Sequence, residues 1–156
     1  MNTELTITPN LLRRVGASGE TITSGLCRAL RETTFSNRML IAPRRLDEIG
    51  KEQAAAFLGF LEAEDEGAVR ERGRQLAFEG LGHRSILMMA EALRRACRES
   101  ANPGDEALPA LLEAAGRYVN ALLEGYMAGR EEDILREQER TREAYLRARQ
   151  RQAGQA

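Results

Sequence analysis

The chain has no tryptophan, a single histidine (His83), a single lysine (Lys51), two cysteines and four prolines, and aromatics make up only 4% of its 156 residues. Each scarcity excludes something. Strands favour β-branched and aromatic side chains. A chain that is 42% hydrophobic with so few rings must instead build its core from Leu, Ala, Ile, Val and Met, a palette suited to helix-on-helix packing. Cys27 and Cys97 stand alone in apolar helical contexts, without CxxC spacing, and read as two buried thiols, with a redox pair as the alternative. One histidine and two distant cysteines do not make a structural zinc site. No stretch of about 18 apolar residues occurs, so no membrane span is expected. With 23 basic and 24 acidic residues the net charge is -1, which leaves no basic field to attract nucleic acid.

Catalytic signatures are missing as well. There is no P-loop, no GxGxxG after a strand, no GxSxG and no HExxH. The acids Glu62, Glu64, Asp65 and Glu66 could be read as a carboxylate site, but carboxylates this close belong in water at a helix junction. Nothing pairs a nucleophile with a base and a positioning group. The expectation is a non-enzymatic protein. The N-terminus lacks the basic-then-apolar order of a secretory signal, so the cytoplasm is the expected address.

What is present is helical periodicity. Residues 1–10 read as a loose start, extended at Thr8-Pro9, followed by one short turn at Leu11, Leu12 and Val15. Thr21–Thr34 carries Ile22, Leu26, Cys27 and Leu30 on one face. The connector TTFSNRMLIAPRR should tuck Phe35, Met39, Leu40 and Ile41 against the core. Pro43 opens a helix over Arg44–Ala63, and further helices are expected over Ala68–Phe78 and Ile86–Arg98, separated by the glycine-rich turn at 79–85. Asn102-Pro103-Gly104 marks a loop, with Asp105 as candidate N-cap.

From Asp105 to about Gln150 a single long helix is expected, its one proline, Pro109, sitting where a first turn tolerates it. Leu111, Ala115, Tyr118, Leu122, Gly125 and Gly129 step 4-3-4-3-4, a heptad seam whose glycines let another backbone come close. The glycines in GYMAG also make 125–129 the natural hinge. Beyond it Ile134, Gln138, Thr141, Tyr145 and Ala148 continue the stepping with polar members, supported by the i,i+4 pairs Glu132–Arg136 and Glu143–Arg147. A weak seam of this kind suits a coiled coil that changes state under a small bias.

The run IAPRRLDEIGKEQAAAFLGFLEAEDEGAVRERGRQLAFEGLGHRSILMMAEALRRACRE, then YVNALLEGYMAGREEDILREQERTREAYLRA, resembles the helical N-terminal sensory domains of bacterial signalling proteins. These precede STAS, GAF, PAS or histidine-kinase modules and include RsbR-type co-antagonists of stress-response regulation. The resemblance spans residues 40–148 and rests on general pattern and on the phrasing ILREQERTREAYLRA. It implies a globin-like or bundle domain without haem, dimerisation, an N-terminal input and a C-terminal relay. The chain shows no STAS or kinase module and no mark of a sensory cofactor, so no binding residues carry over.

The expectation is therefore an all-α bundle of five or six helices, globin-like or of plain bundle kind, with a long C-terminal helix as a coiled-coil-type linker. Residues 1–130 would form the sensory domain and residues 131–156 the signalling-helix extension and tail. Tyr118, Leu122, Gly125, Gly129, Ile134, Thr141 and Tyr145 would form the relay and dimer seam. The partners would be a second copy and an output domain or partner regulator, with neither nucleic acid nor membrane involved and no cofactor. The alternatives are a haem- or other small-molecule-binding helical protein, using Met88, Met89, Tyr118, His83 or a cysteine, and a structural oligomerisation adaptor. A DNA-binding regulator ranks last, since Arg140, Arg142, Arg147, Arg149 and Arg151 are opposed by acids.

Overall fold

The computed structural model describes residues 8–102 and 104–154. Most of the loose start, Pro103 of the loop and the last two tail residues lie outside them. Among the described residues there are six helices and no strand, in an all-α bundle: α1 (Pro9–Ala17), α2 (Gly19–Glu32), α3 (Pro43–Ala63), α4 (Glu66–Phe78), α5 (His83–Glu99) and α6 (Leu108–Gly154). A 3-10 turn at Thr34–Ser36 follows α2.

The first helix is longer than the short turn expected from Leu11, Leu12 and Val15. Thr8 is extended and its Oγ1 accepts from the Leu11 N–H at 3.3 Å, while Pro9 occupies the first helical turn. A capping threonine followed by proline starts a helix as readily as it extends a chain. Helix α5 likewise begins three residues early, with His83 as its first residue. At the other boundary α6 begins at Leu108, three residues after Asp105. Asp105 closes the preceding turn, its Oδ1 accepting from the Ala107 N–H at 3.0 Å while it pairs with Arg14 of α1.

Helix α2 packs between α3 and α5, and α6 packs between α4 and α5, with the α4–α6 contact the most extensive of all. The core is mostly aliphatic, with Tyr126 and one aromatic cluster as its rings. The Tyr118 ring meets Phe57 edge-on at 5.3 Å and Phe60 at 5.6 Å. Its hydroxyl donates to Gln53 Oε1 at 2.9 Å, and burial pushes the phenol up from its ordinary pKa. Gln53 is buried, and its Nε2 has no partner among the described residues.

The connector is where the apolar expectation fails. Ile41 is buried, but Phe35 is 102% exposed, Leu40 96% and Met39 54%. Polar bonds hold this segment instead. The N–H groups of Gly82 and Arg38 bridge it to the turn after α4, the first donating to Asn37 Oδ1 and the second to the Gly80 carbonyl, both at 2.9 Å. Ser85 donates to Asn37 Oδ1 at 2.8 Å.

The Tyr118–Gln53 bond is satisfied on one side only, which gives a sharp stability test. Tyr118→Phe is expected to cost about 1–2 kcal/mol in chemical unfolding, because Gln53 is then left wholly unpaired in the core. Adding Gln53→Leu should recover most of that loss, since both polar partners are then gone.

Candidate functional site

The seven seam residues are all on α6, and the structure divides them. Tyr118, Leu122, Gly125 and Gly129 are buried, while Ile134, Thr141 and Tyr145 are exposed. The partner of the inner four is the chain itself. A Cβ on Gly125 would lie 1.8 Å from the Arg70 carbonyl oxygen of α4, and one on Gly129 2.7 Å from the Arg74 carbonyl oxygen. The approach is reciprocal, for a Cβ on Gly73 of α4 would lie 2.1 Å from the Leu122 carbonyl oxygen. Two helices meet backbone to backbone here, which only glycine permits. The close neighbour anticipated from the glycine spacing is thus α4. Gly125–Gly129, read from the sequence as the natural hinge, lies in the middle of this contact and is helical throughout, clamped against α4.

Arginine–glutamate pairs flank the glycine contact along its length. Arg117 on α6 pairs with Glu64 and Glu66, Arg70 with Glu124 at 2.8 Å, and Arg74 with Glu132 at 2.9 Å. The acids at the α3–α4 junction therefore serve structure. Glu64 ends α3 in the left-handed region at φ 51°, and Asp65 caps α4 by accepting from the Ala68 N–H at 3.0 Å.

Where α6 leaves the globule, a collar of side chains grips it from two sides. On one side Arg38 of the connector pairs with Asp133 and, at 2.9 Å, with Glu137. On the other, Glu132 binds both Arg74 and Arg136, whose guanidinium groups lie 4.9 and 5.0 Å from the Phe78 ring centre. About two turns below, the Tyr126 hydroxyl donates to the Leu81 carbonyl at 2.6 Å. The collar gathers the connector, the turn at 79–82, α4 and α6 at one place. Contacts to the globule therefore reach Glu137, beyond the boundary at residue 130 read from the sequence. From Gln138 to Gly154 every residue is exposed.

The Arg38 guanidinium holds the Asp133 carboxyl below its usual range, and Arg74 does the same for Glu132. Arg38 was not singled out in the sequence, where it is one arginine among many in a connector read as apolar. No local pattern marks it, because its partners Asp133 and Glu137 lie nearly a hundred residues away.

Of the residues considered for a haem or small-molecule pocket, only Met89 and Tyr118 are brought together. His83 is exposed at the start of α5 and Met88 lies on its outer face, whereas Met89 and Tyr118 are buried. The space between those two, beside Leu26 and Gln53, is about 10 Å³, room for about one water molecule. Cys27 and Cys97 are buried and unpaired, and burial pushes the Cys97 thiol up to about 12. A groove of about 540 Å³ between α2 and α5 is open and rimmed by Glu20, Arg28, Glu91 and Arg95. No helix in the described residues is long and apolar enough to cross a membrane.

Comparison with protein-family models, curated proteins and solved structures gives no match.

Two measurements test this geometry. Gly125→Ala should cost at least about 2–3 kcal/mol, the upper range for overpacking, because the obstructing atom is backbone. Gly116→Ala, also on α6 but with nothing within 4 Å of the added methyl, should be neutral or stabilise by up to about 1 kcal/mol. Separately, the depressed pKa values of Asp133 and Glu132 mean that the unfolded chain takes up their protons first as pH falls. Their contribution is present above the ordinary carboxylate range, about pH 4, and is lost progressively as pH falls from there through the lowered native values, Asp133 being the one that Arg38 holds. The difference in urea midpoint between the wild type and Arg38→Ala should therefore be largest near neutral pH and shrink between about pH 5 and pH 3.

Proposed function

We propose that the chain is a non-enzymatic sensory or regulatory input module, acting in the cytoplasm of a bacterial signal-transduction system. In this reading the bundle sets the course of α6, and α6 carries that setting to an output domain or partner regulator. One observation supports it above the others: a single helix is core at Leu111–Gly129 and bare from Gln138 onward, with a polar collar between. A helix cannot change orientation at one end without moving the other, so whatever repacks the collar redirects the exposed half. The collar is built from ion pairs and hydrogen bonds on the surface, which individually hold little free energy and so can be exchanged by a modest bias.

A structural adaptor is the second reading, favoured by the backbone-to-backbone contact at Gly73 and Gly125, which leaves α6 little freedom inside the globule. The two readings part at the collar. With a spin label at an exposed site, Ala144→Cys, Arg38→Ala should raise the mobility of the label at low protein concentration while the bundle itself stays folded. Unchanged label mobility would remove the relay and leave the adaptor.

A further inference from the structure

The exposed half of α6 carries an apolar face that nothing among the described residues covers. Met127, Ile134, Leu135, Tyr145 and Leu146 are 68, 43, 58, 62 and 46% exposed. Ile134 and Tyr145 are eleven residues apart, as are Leu135 and Leu146, and eleven residues make about three helical turns. The two doublets therefore share one face. At its root lies an open, largely apolar shelf of about 580 Å³ formed by Tyr126, Met127, Ala128, Arg130, Glu131, Ile134 and Leu135. The collar residues Glu132, Asp133 and Glu137 point elsewhere, towards α4 and the connector. The face is thus free while the collar is closed.

Apolar doublets of this spacing would pair in either direction; the charges do not allow both. Between residues 130 and 139 five acids stand against two arginines, net -3, whereas from 140 to 151 five arginines stand against one acid, net +4. A parallel pair would set acidic half on acidic half and basic on basic. An antiparallel pair sets each acidic half on a basic one.

We infer that the exposed half of α6 pairs antiparallel with the same segment of a second copy, centred on Arg140. In that register Ile134 faces Leu146, Leu135 faces Tyr145, and Gln138 faces Arg142. At the ends Glu131 faces Arg149, and neither has an ion-pair partner within the chain among the described residues. Leu146 of one copy then covers the shelf of the other, one face away from its collar. The inference rests on the reading of α6 as the outward-acting element and adds that one copy's tail meets the other copy's collar region.

The experiment measures the dimer dissociation constant of the full chain by sedimentation. Glu131→Arg and Arg149→Glu should each weaken the dimer about tenfold or more, and the double variant should return it to within about threefold of the wild type. A parallel dimer predicts otherwise, because each residue would then meet its own twin, so the single reversals would change little. A spin label at Ala153→Cys should show copies separated by about 40 Å in the antiparallel pair, from the helical rise over twice thirteen residues. A label separation under about 20 Å, a double variant no better than the singles, or a wild type monomeric at high micromolar concentration would each overturn the proposal. Failure here leaves the relay intact, since the label at position 144 reports on the monomer.

Discussion

The contact between α4 and α6 governs where everything else can be. Because Gly73, Gly125 and Gly129 carry no side chain, the two backbones meet at a distance that no other residue would allow. That proximity sets the phase of α6. It turns Tyr118 inward to Phe57 and Phe60, brings the Tyr126 hydroxyl to the Leu81 carbonyl, and aligns Glu124 and Glu132 with Arg70 and Arg74. The same phase leaves Met127, Ile134 and Leu135 facing outward. A slightly wider separation would rotate or slide α6 and spoil each of these at once. The arginine–glutamate pairs are consequences of this placement, and exposed pairs of this kind contribute little alone.

Helical character was legible from α2 onward, because apolar residues recur with a period near 3.6 and strand-forming residues are few. The long C-terminal helix and its division into buried and bare halves could both be read from residues 105–150. The identity of the close neighbour could not. A heptad seam with glycines states that another backbone comes near, but not whose, and the matching glycine, Gly73, sits in a segment with weak apolar periodicity. The short helix α1 was hidden for a different reason: Thr8-Pro9 is ambiguous between an extended dipeptide and a cap.

The connector shows the limit of hydropathy as a guide. Phe35, Met39 and Leu40 are apolar and yet exposed, while Asn37 and Arg38 between them make the bonds that hold the segment. A short chain crossing from α2 to α3 has few conformations available, and the backbone donors of Gly82 and Arg38 had to be paired. Pairing them turned the large side chains outward. The collar could not be foreseen because it depends on residues nearly a hundred positions apart, Arg38 with Asp133 and Glu137.

The bare part of α6 beyond Glu137 runs seventeen residues to Gly154, about 25 Å of helix at its ordinary rise. A tilt of about 10° at the collar would sweep its tip through roughly 4 Å, close to one strand spacing or two-thirds of a helix diameter's radius. Small angular play at the base becomes, at the far end, the difference between contact and no contact. Geometry supplies the amplification, and the protein need only supply a stiff rod.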